Sequence, residues 1–248
     1  MDQDLSRVRP DRVFEGGDMD CGSGLVLLLR EAMTAVPPGG VLEMRSREPT
    51  VADDLPPWCR LAGHAFLGRV GAEDSGEARY LIRRGASDAA LDRATLEADK
   101  EKARAYEWRV RARATGPRSS RAYCRNFAID VGQPASFDAS DVHPSAVEVL
   151  LAALAGDLSA TFQVEASRAG VVLDDVELVV RGRLTDVLAH LGVGDGDPGL
   201  SDVDVRCFAQ TGADEAAVRA AWELACARSP VARTLNRACR LALAVVVA

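Results

Sequence analysis

The chain has 248 residues, 48% of them hydrophobic and 27% charged, a composition that fits a folded globular protein long enough for two domains. Its formal net charge of −7 argues against a general nucleic-acid binder. Six cysteines without a C-x-x-C pair and three scattered histidines supply neither a disulfide framework nor zinc spacing, so no metal and no cofactor are expected.

The opening MDQDLSRVRPDRVF is charged and lacks the apolar core of an export signal. No apolar run reaches the ~20 residues that span a bilayer, and the expectation is a cytoplasmic protein with reduced thiols and no membrane attachment. A short strand at RVF leads through a Gly16-Gly17 turn into GLVLLLREAMTAV, where Leu25, Leu28, Leu29, Ala32 and Met33 share one helical face. PPGG ends that helix and VLEMRS alternates as a half-buried strand. EPTVADDLPPWCRLAGHAFLGRV contains a second helix, with Pro56-Pro57 near its start and Gly63 within or just after it, and ARYLIRR closes the sheet. Residues 1–85 thus read as a two-layer α/β sandwich of order βαβαβ, with room for one further strand. Residues 86–105 are polar, Ala-rich and free of Gly and Pro, which predicts an exposed helical linker.

From residue 106 the pattern changes. YEWRVRARAT and RAYCRNFAIDV flank GPRSS as the arms of a hairpin, and Arg109, Arg111 and Arg113 alternate as a solvent face rather than a nucleic-acid site. A long helix runs from Pro144 to a stop at Gly170, apolar almost all round and therefore expected to be central and buried. VVLDDVELVVRGRL and DVDVRCFAQ are strands, GVGDGDPGLSD is a solvated loop, DEAAVRAAWELACAR is a helix, and LALAVVVA reads as a buried last strand. Residues 106–248 form an α+β unit on a mostly antiparallel sheet.

The residue with chemical promise is Cys21, in DMDCGSGLVLLLREAM. A thiol at a helix N-terminus meets unpaired N–H groups and the positive end of the helix dipole, both of which favour the thiolate. Gly22 and Gly24 leave room for a partner, while Asp18 and Asp20 oppose the thiolate by charge repulsion. The residues alone leave two readings open: a nucleophile, or a small apolar side chain filling a strand-to-helix corner.

The stretch DCGSGLVLLLREAMTAVPPGGVLEMRSREPTVADDLPPWCRLAGHAFL resembles the TusA/SirA-like sulfur carriers, in which the first strand runs into a Cys-Pro-x-Pro motif capping the first helix. The resemblance implies that Cys21 accepts sulfane sulfur as a persulfide and passes it on by thiol exchange. CGSG replaces the prolines of that motif, which puts helix start and partner recognition in question more than the thiol. Cys59 matches a cysteine of some members; it could exchange sulfur or form a disulfide with Cys21, although a cysteine beside Trp58 in a helix is more often core. His64, placed by the same motif, is expected to cap or pack the helix end.

The second unit resembles the OsmC/Ohr family through HPSAVEVLLAALAGDLSATFQVEASRAGVVLDDVELVVRG and CARSPVARTLNRA. In peroxidase members a cysteine follows an Ala-Gly pair on the central helix and a second precedes a Pro-Val, and the two reduce organic hydroperoxides. Here those positions are Asp157 and Ser229, neither of which can form a sulfenic acid. Glu148 matches a glutamate near the reactive cysteine, so Glu148, Asp157 and Ser229 define a degenerate pocket in which the two carboxylates could share a proton. Cys124, Cys207 and Cys239 are expected as buried packing, and Cys226 lies off the usual site. The resulting expectation is a sulfur carrier or sulfurtransferase, homodimeric through its second unit. Its partners are sulfur donor and acceptor proteins or low-molecular-weight persulfides. The alternatives are an OsmC-type thiol peroxidase and a non-enzymatic redox or ligand-binding module.

Overall fold

The structure, a computed structural model, describes residues 5–20, 24–70, 77–85, 89–133 and 140–247. The chain divides into two units, Met1–Tyr106 and Glu107–Ala248.

In the first unit β1 (Arg12–Gly17), α1 (Leu25–Thr34), β2 (Val41–Ser46), α2 (Val51–Leu61), β3 (Ala65–Val70) and β4 (Ala78–Arg83) follow in order. The sheet runs β1-β2-β4-β3, with β1 parallel to β2 and the other pairs antiparallel. Leu42 faces Ile82 and Met44 faces Tyr80 across β2 and β4. This side of the sheet is buried together with Leu25, Leu29 and Met33 of α1 and Val51, Leu55 and Cys59 of α2. The i, i+4, i+8 spacing of both sets is the apolar stripe of a surface helix.

Three local features differ from the sequence reading. Gly16 and Gly17 are the end of β1 rather than a turn, with Gly17 at φ 54 where the register to β2 shifts. Pro56 and Pro57 lie inside α2, whose first turn begins earlier at Val51 and holds Asp53 and Asp54, acids that suit the positive helix end. AFLGRV forms β3, the optional strand; a bulge between Phe66 and Gly68 breaks the alternation that would have announced it.

α3 (Ala89–Arg104), the segment read as an exposed linker, lies against α1. Leu96 is buried there, Arg30 bonds Asp99, and Lys100 Nζ is 3.4 Å from Glu31 Oε1. One anchoring leucine is easily hidden in a stretch of such high mean polarity.

The second unit contains β5 (Val110–Gly116), β6 (Ser119–Cys124) and β7 (Phe127–Val131), an antiparallel sheet of order β5-β6-β7. The second hairpin arm breaks into two strands at Arg125, which has φ 54. Then come α4 (Ala146–Arg168), β8 (Asp175–Leu184), the short α5 (Val187–His190), β9 (Leu200–Gln210), α6 (Glu215–Arg228), α7 (Pro230–Ala238) and β10 (Arg240–Val247). β9 is antiparallel to β8 and parallel to β10. Leu154, Leu158 and Phe162 of α4 join Val203, Val205 and Cys207 of β9 and Trp222 of α6 in one core, where the Phe162 and Trp222 rings meet edge to face at 5.2 Å.

α4 is not buried on most faces, as its all-round apolarity had suggested. Leu150 is 40% exposed, because a single chain supplies a packing layer for only one side of this helix. Among the described residues α4 also has the length and mean hydropathy (1.4) to cross a bilayer, but its inner face fills the core. LALAVVVA likewise forms an edge strand with alternating burial rather than a fully buried one.

Candidate functional site

Cys21 lies outside the described residues. The chain on both sides of it is well anchored. Gly17 O accepts from Arg47 N at 2.8 Å and from Ser46 Oγ at 3.0 Å, so the end of β1 is held to β2. Arg47 donates to both carboxylate oxygens of Asp18, at 3.0 and 2.8 Å. That bidentate pair offsets much of the negative charge that the sequence reading set against a thiolate. Met19 is 2% exposed and pins the strand-to-helix connection to the core. On the other side, Gly24 at φ 92 opens α1, a conformation that a residue with a Cβ adopts only under strain. Gly24 brings no capping side chain and the first turn of α1 holds no acid, so among the described residues of the helix itself none offsets its dipole there.

Cys59 is fully buried on α2, and burial pushes its thiol up to about 12. His64 sits just past the end of α2. Its Nδ1 accepts from Gly85 N at 3.3 Å, its backbone N–H donates to Cys59 O at 2.8 Å, and its ring lies 5.7 Å from that of Trp58.

In the second unit, Asp157 and Ser229 are in direct contact. Ser229 Oγ donates to Asp157 Oδ2 at 2.5 Å, and Val231 N donates to the same oxygen at 3.0 Å. Ser229 is fully buried and caps α7, with its Oγ accepting from Ala232 N at 2.9 Å. Asp157 thus extends the cap of α7. Glu148 is elsewhere: nine residues along an α-helix turn the side chain roughly half a revolution away. It closes a capping box at the start of α4, accepting from Ser145 N at 2.6 Å while Ser145 Oγ accepts from Glu148 N at 3.2 Å. The Ser145 backbone bond, then its hydroxyl, hold the Glu148 carboxyl below its ordinary value. The two carboxylates therefore have separate partners on different sides of α4. Glu148 instead lines a cleft of about 640 Å³ with Arg183 and Asp186, a cleft to which Asp157 and Ser229 do not contribute.

Cys207 and Cys226 lie in the core of this unit, where burial raises their thiols to about 12 and about 11. Cys124 and Cys239 are half-buried. Among the described residues no group of His, Cys, Asp and Glu is placed to hold a metal ion.

Two features went unremarked in the sequence. Glu43, 1% exposed on β2, accepts from Arg79 Nε at 3.0 Å and Arg45 Nε at 2.8 Å. The Arg79 bond, against the opposing effect of burial and with help from Arg45, lowers its carboxyl pKa. The second is a cleft of about 290 Å³ lined by Glu48, Arg69 and Tyr80 beside the end of β2. A charged residue inside a strand pattern was the only sequence signal for either.

Comparison with known proteins separates the two units. The sulfur carrier protein TusA of Pseudomonas putida strain GB-1 is 30% identical over 75 residues, covering 30% of this chain and 90% of the carrier. TusA of two further Pseudomonas putida strains is 29% identical over the same length. The chain belongs to the TusA sulfur-carrier family. Its TusA-like part is joined to an OsmC-like domain, since residues 138–244 match the family described as OsmC-like protein. The OsmC-like fold recurs in the crystal structure of an OsmC-like protein from Mycoplasma pneumoniae, with a TM-score of 0.50, 17% identity, and coverage of 58% of this chain and 98% of that one.

Proposed function

We propose that this TusA-like protein carries sulfane sulfur as a persulfide on Cys21, and that its OsmC-like domain is a catalytically silent dimerisation or ligand-binding scaffold. The observation that carries the reading is the match to sulfur carriers over 90% of their length. Anchored chain on both sides of Cys21 and a helix opening without a capping side chain support it. In the transfer, the Cys21 thiolate attacks the outer sulfur of a donor persulfide. The donor S–S bond breaks, its thiolate leaves, and the new S–S bond is on Cys21; no outside oxidant or reductant is needed. Repetition on an acceptor thiol discharges the carrier. Donor and acceptor are cytoplasmic proteins or low-molecular-weight persulfides.

At the positions that the OsmC resemblance gives to the peroxidase thiols, Asp157 and Ser229 are spent on each other and on the N-terminus of α7. Cys207 and Cys226 are buried with raised pKa values, which favours the protonated, unreactive thiol. Homodimerisation through this domain is supported by Val110, Phe127, Ile129 and Leu150, which are 65%, 58%, 47% and 40% exposed in one chain.

Cyanide-labile sulfur after loading with a sulfane donor tests the carrier reading. Wild type gains it and Cys21→Ser does not, while neither protein turns over an organic hydroperoxide with a dithiol reductant. Hydroperoxide turnover by the Cys21→Ser variant would instead place peroxidase chemistry in the second domain.

A further inference from the structure

The cleft beside the end of β2 has an unusual set of side chains. Ser46 and Ala78 face each other across β2 and β4, and Tyr80 and Arg69 across β4 and β3, so these four share one side of the sheet. Pro49 and Ala52, at the start of α2, close the opposite wall, and Arg47 and Glu48 complete the lining. Ser46 and Arg47 are the residues bonded to Gly17 and Asp18, so this wall is continuous with the strand that runs on to Cys21.

Three polar groups in the cleft have unused bonding capacity. Arg69 makes no ion pair or side-chain hydrogen bond among the described residues. Glu48 makes no ion pair there either; one of its oxygens accepts from Thr50 N at 3.1 Å and the other has no partner. Tyr80 is 2% exposed, lines the cleft, and its hydroxyl bonds to nothing among the described residues. The hydroxyl is not among the fully buried atoms that lack a partner, so its oxygen opens into the cleft, where a ligand can reach it. Arg47, by contrast, is already engaged by Asp18.

A simple anion would meet Arg69 but be repelled by Glu48, and a simple cation the reverse. A ligand bearing both charges satisfies both. We propose that this cleft binds the zwitterionic head of a small α-amino acid, its carboxylate on Arg69 and Tyr80 and its ammonium on Glu48. A volume of about 290 Å³ suits a molecule of cysteine's size. The cleft then holds the cysteine end of a low-molecular-weight persulfide beside the end of β1, a role that rests on the persulfide reading of Cys21, whereas the binding itself does not.

Calorimetric titration of the full-length protein tests this with L-cysteine, its methyl ester, which lacks the carboxylate, and its N-acetyl derivative, which lacks the ammonium, all under reducing conditions. The expected result is saturable L-cysteine binding that is at least about tenfold weaker for both derivatives. Arg69→Gln and Glu48→Gln each lower cysteine affinity by a similar factor, Tyr80→Phe lowers it several-fold, and Cys21→Ser leaves it intact. Circular dichroism melts confirm that the surface variants fold. No saturable cysteine binding, equal affinity for the derivatives, or indifference to both Arg69→Gln and Glu48→Gln overturns the site. Retained binding in a protein whose Cys21 takes up no sulfur would keep the cleft and sink the carrier reading.

Discussion

A thiol whose pKa is about 12 is thiolate in roughly one molecule in ten thousand at pH 8, and Cys59 is such a thiol. Buried in the last turn of α2, it is expected to resist iodoacetamide at pH 8 in the folded protein and to react in urea. Peptide mapping checks this, and modification of native Cys59 would contradict its placement in the core. Asp157 is a second residue whose role is decided by its partners. Asp157→Ala leaves the buried Ser229 hydroxyl and the Val231 N–H short of an acceptor, a loss of about 1–3 kcal/mol. Thermal melting should fall by several degrees, and an unchanged melting temperature would mean that the bond contributes nothing.

At the scale of elements, β2 and β4 are joined by more than their ladder. Glu43 is a buried carboxylate held by two arginines from the surface side of the sheet, with its folded pKa depressed below the ordinary 4.5. A depressed pKa means that the unfolded chain binds the proton more readily. The contribution is therefore full above about pH 4.5 and is lost as the pH falls through the lower folded value. Urea titrations between pH 3 and 7 should show a steeper acid loss for wild type than for Glu43→Gln; parallel curves would exclude Glu43 as the cause. The α1–α3 contact is weaker. It rests on Leu96, worth about 2 kcal/mol when fully buried, and on ion pairs worth under about 1 kcal/mol each at a surface. Leu96→Ser should raise hydrogen exchange in α3 while leaving β2 and β4 protected. Equal exchange in wild type and variant would argue against the docking.

For the whole molecule, sequence alternation and helical spacing were enough to give the order of β1, α1, β2, α2 and β4, and the long α4. Less was legible where local signals are masked by context. The bulge at Gly68 obscured β3, and the polarity of the segment hid the docking of α3 through Leu96. Glu148 and Asp157 looked like a pair because sequence distance conceals that they point to different sides of α4. α4 looked buried because its apolarity is only partly used by one chain. That unmet apolar surface, with Val110, Phe127 and Ile129 on the β5-β6-β7 sheet, is what a second copy would cover. Light scattering should give twice the 26.4 kDa of the chain, and Phe127→Glu with Ile129→Glu should shift the population to monomer. A monomeric wild type would remove the scaffold part of the proposal.

The central claim is that Cys21 bears the sulfur. Intact-protein mass after incubation with a low-molecular-weight persulfide, for wild type and Cys21→Ser, tests it most directly. Wild type should gain one sulfur mass, removed by dithiothreitol and absent from the variant. Uptake that survives the substitution would contradict it.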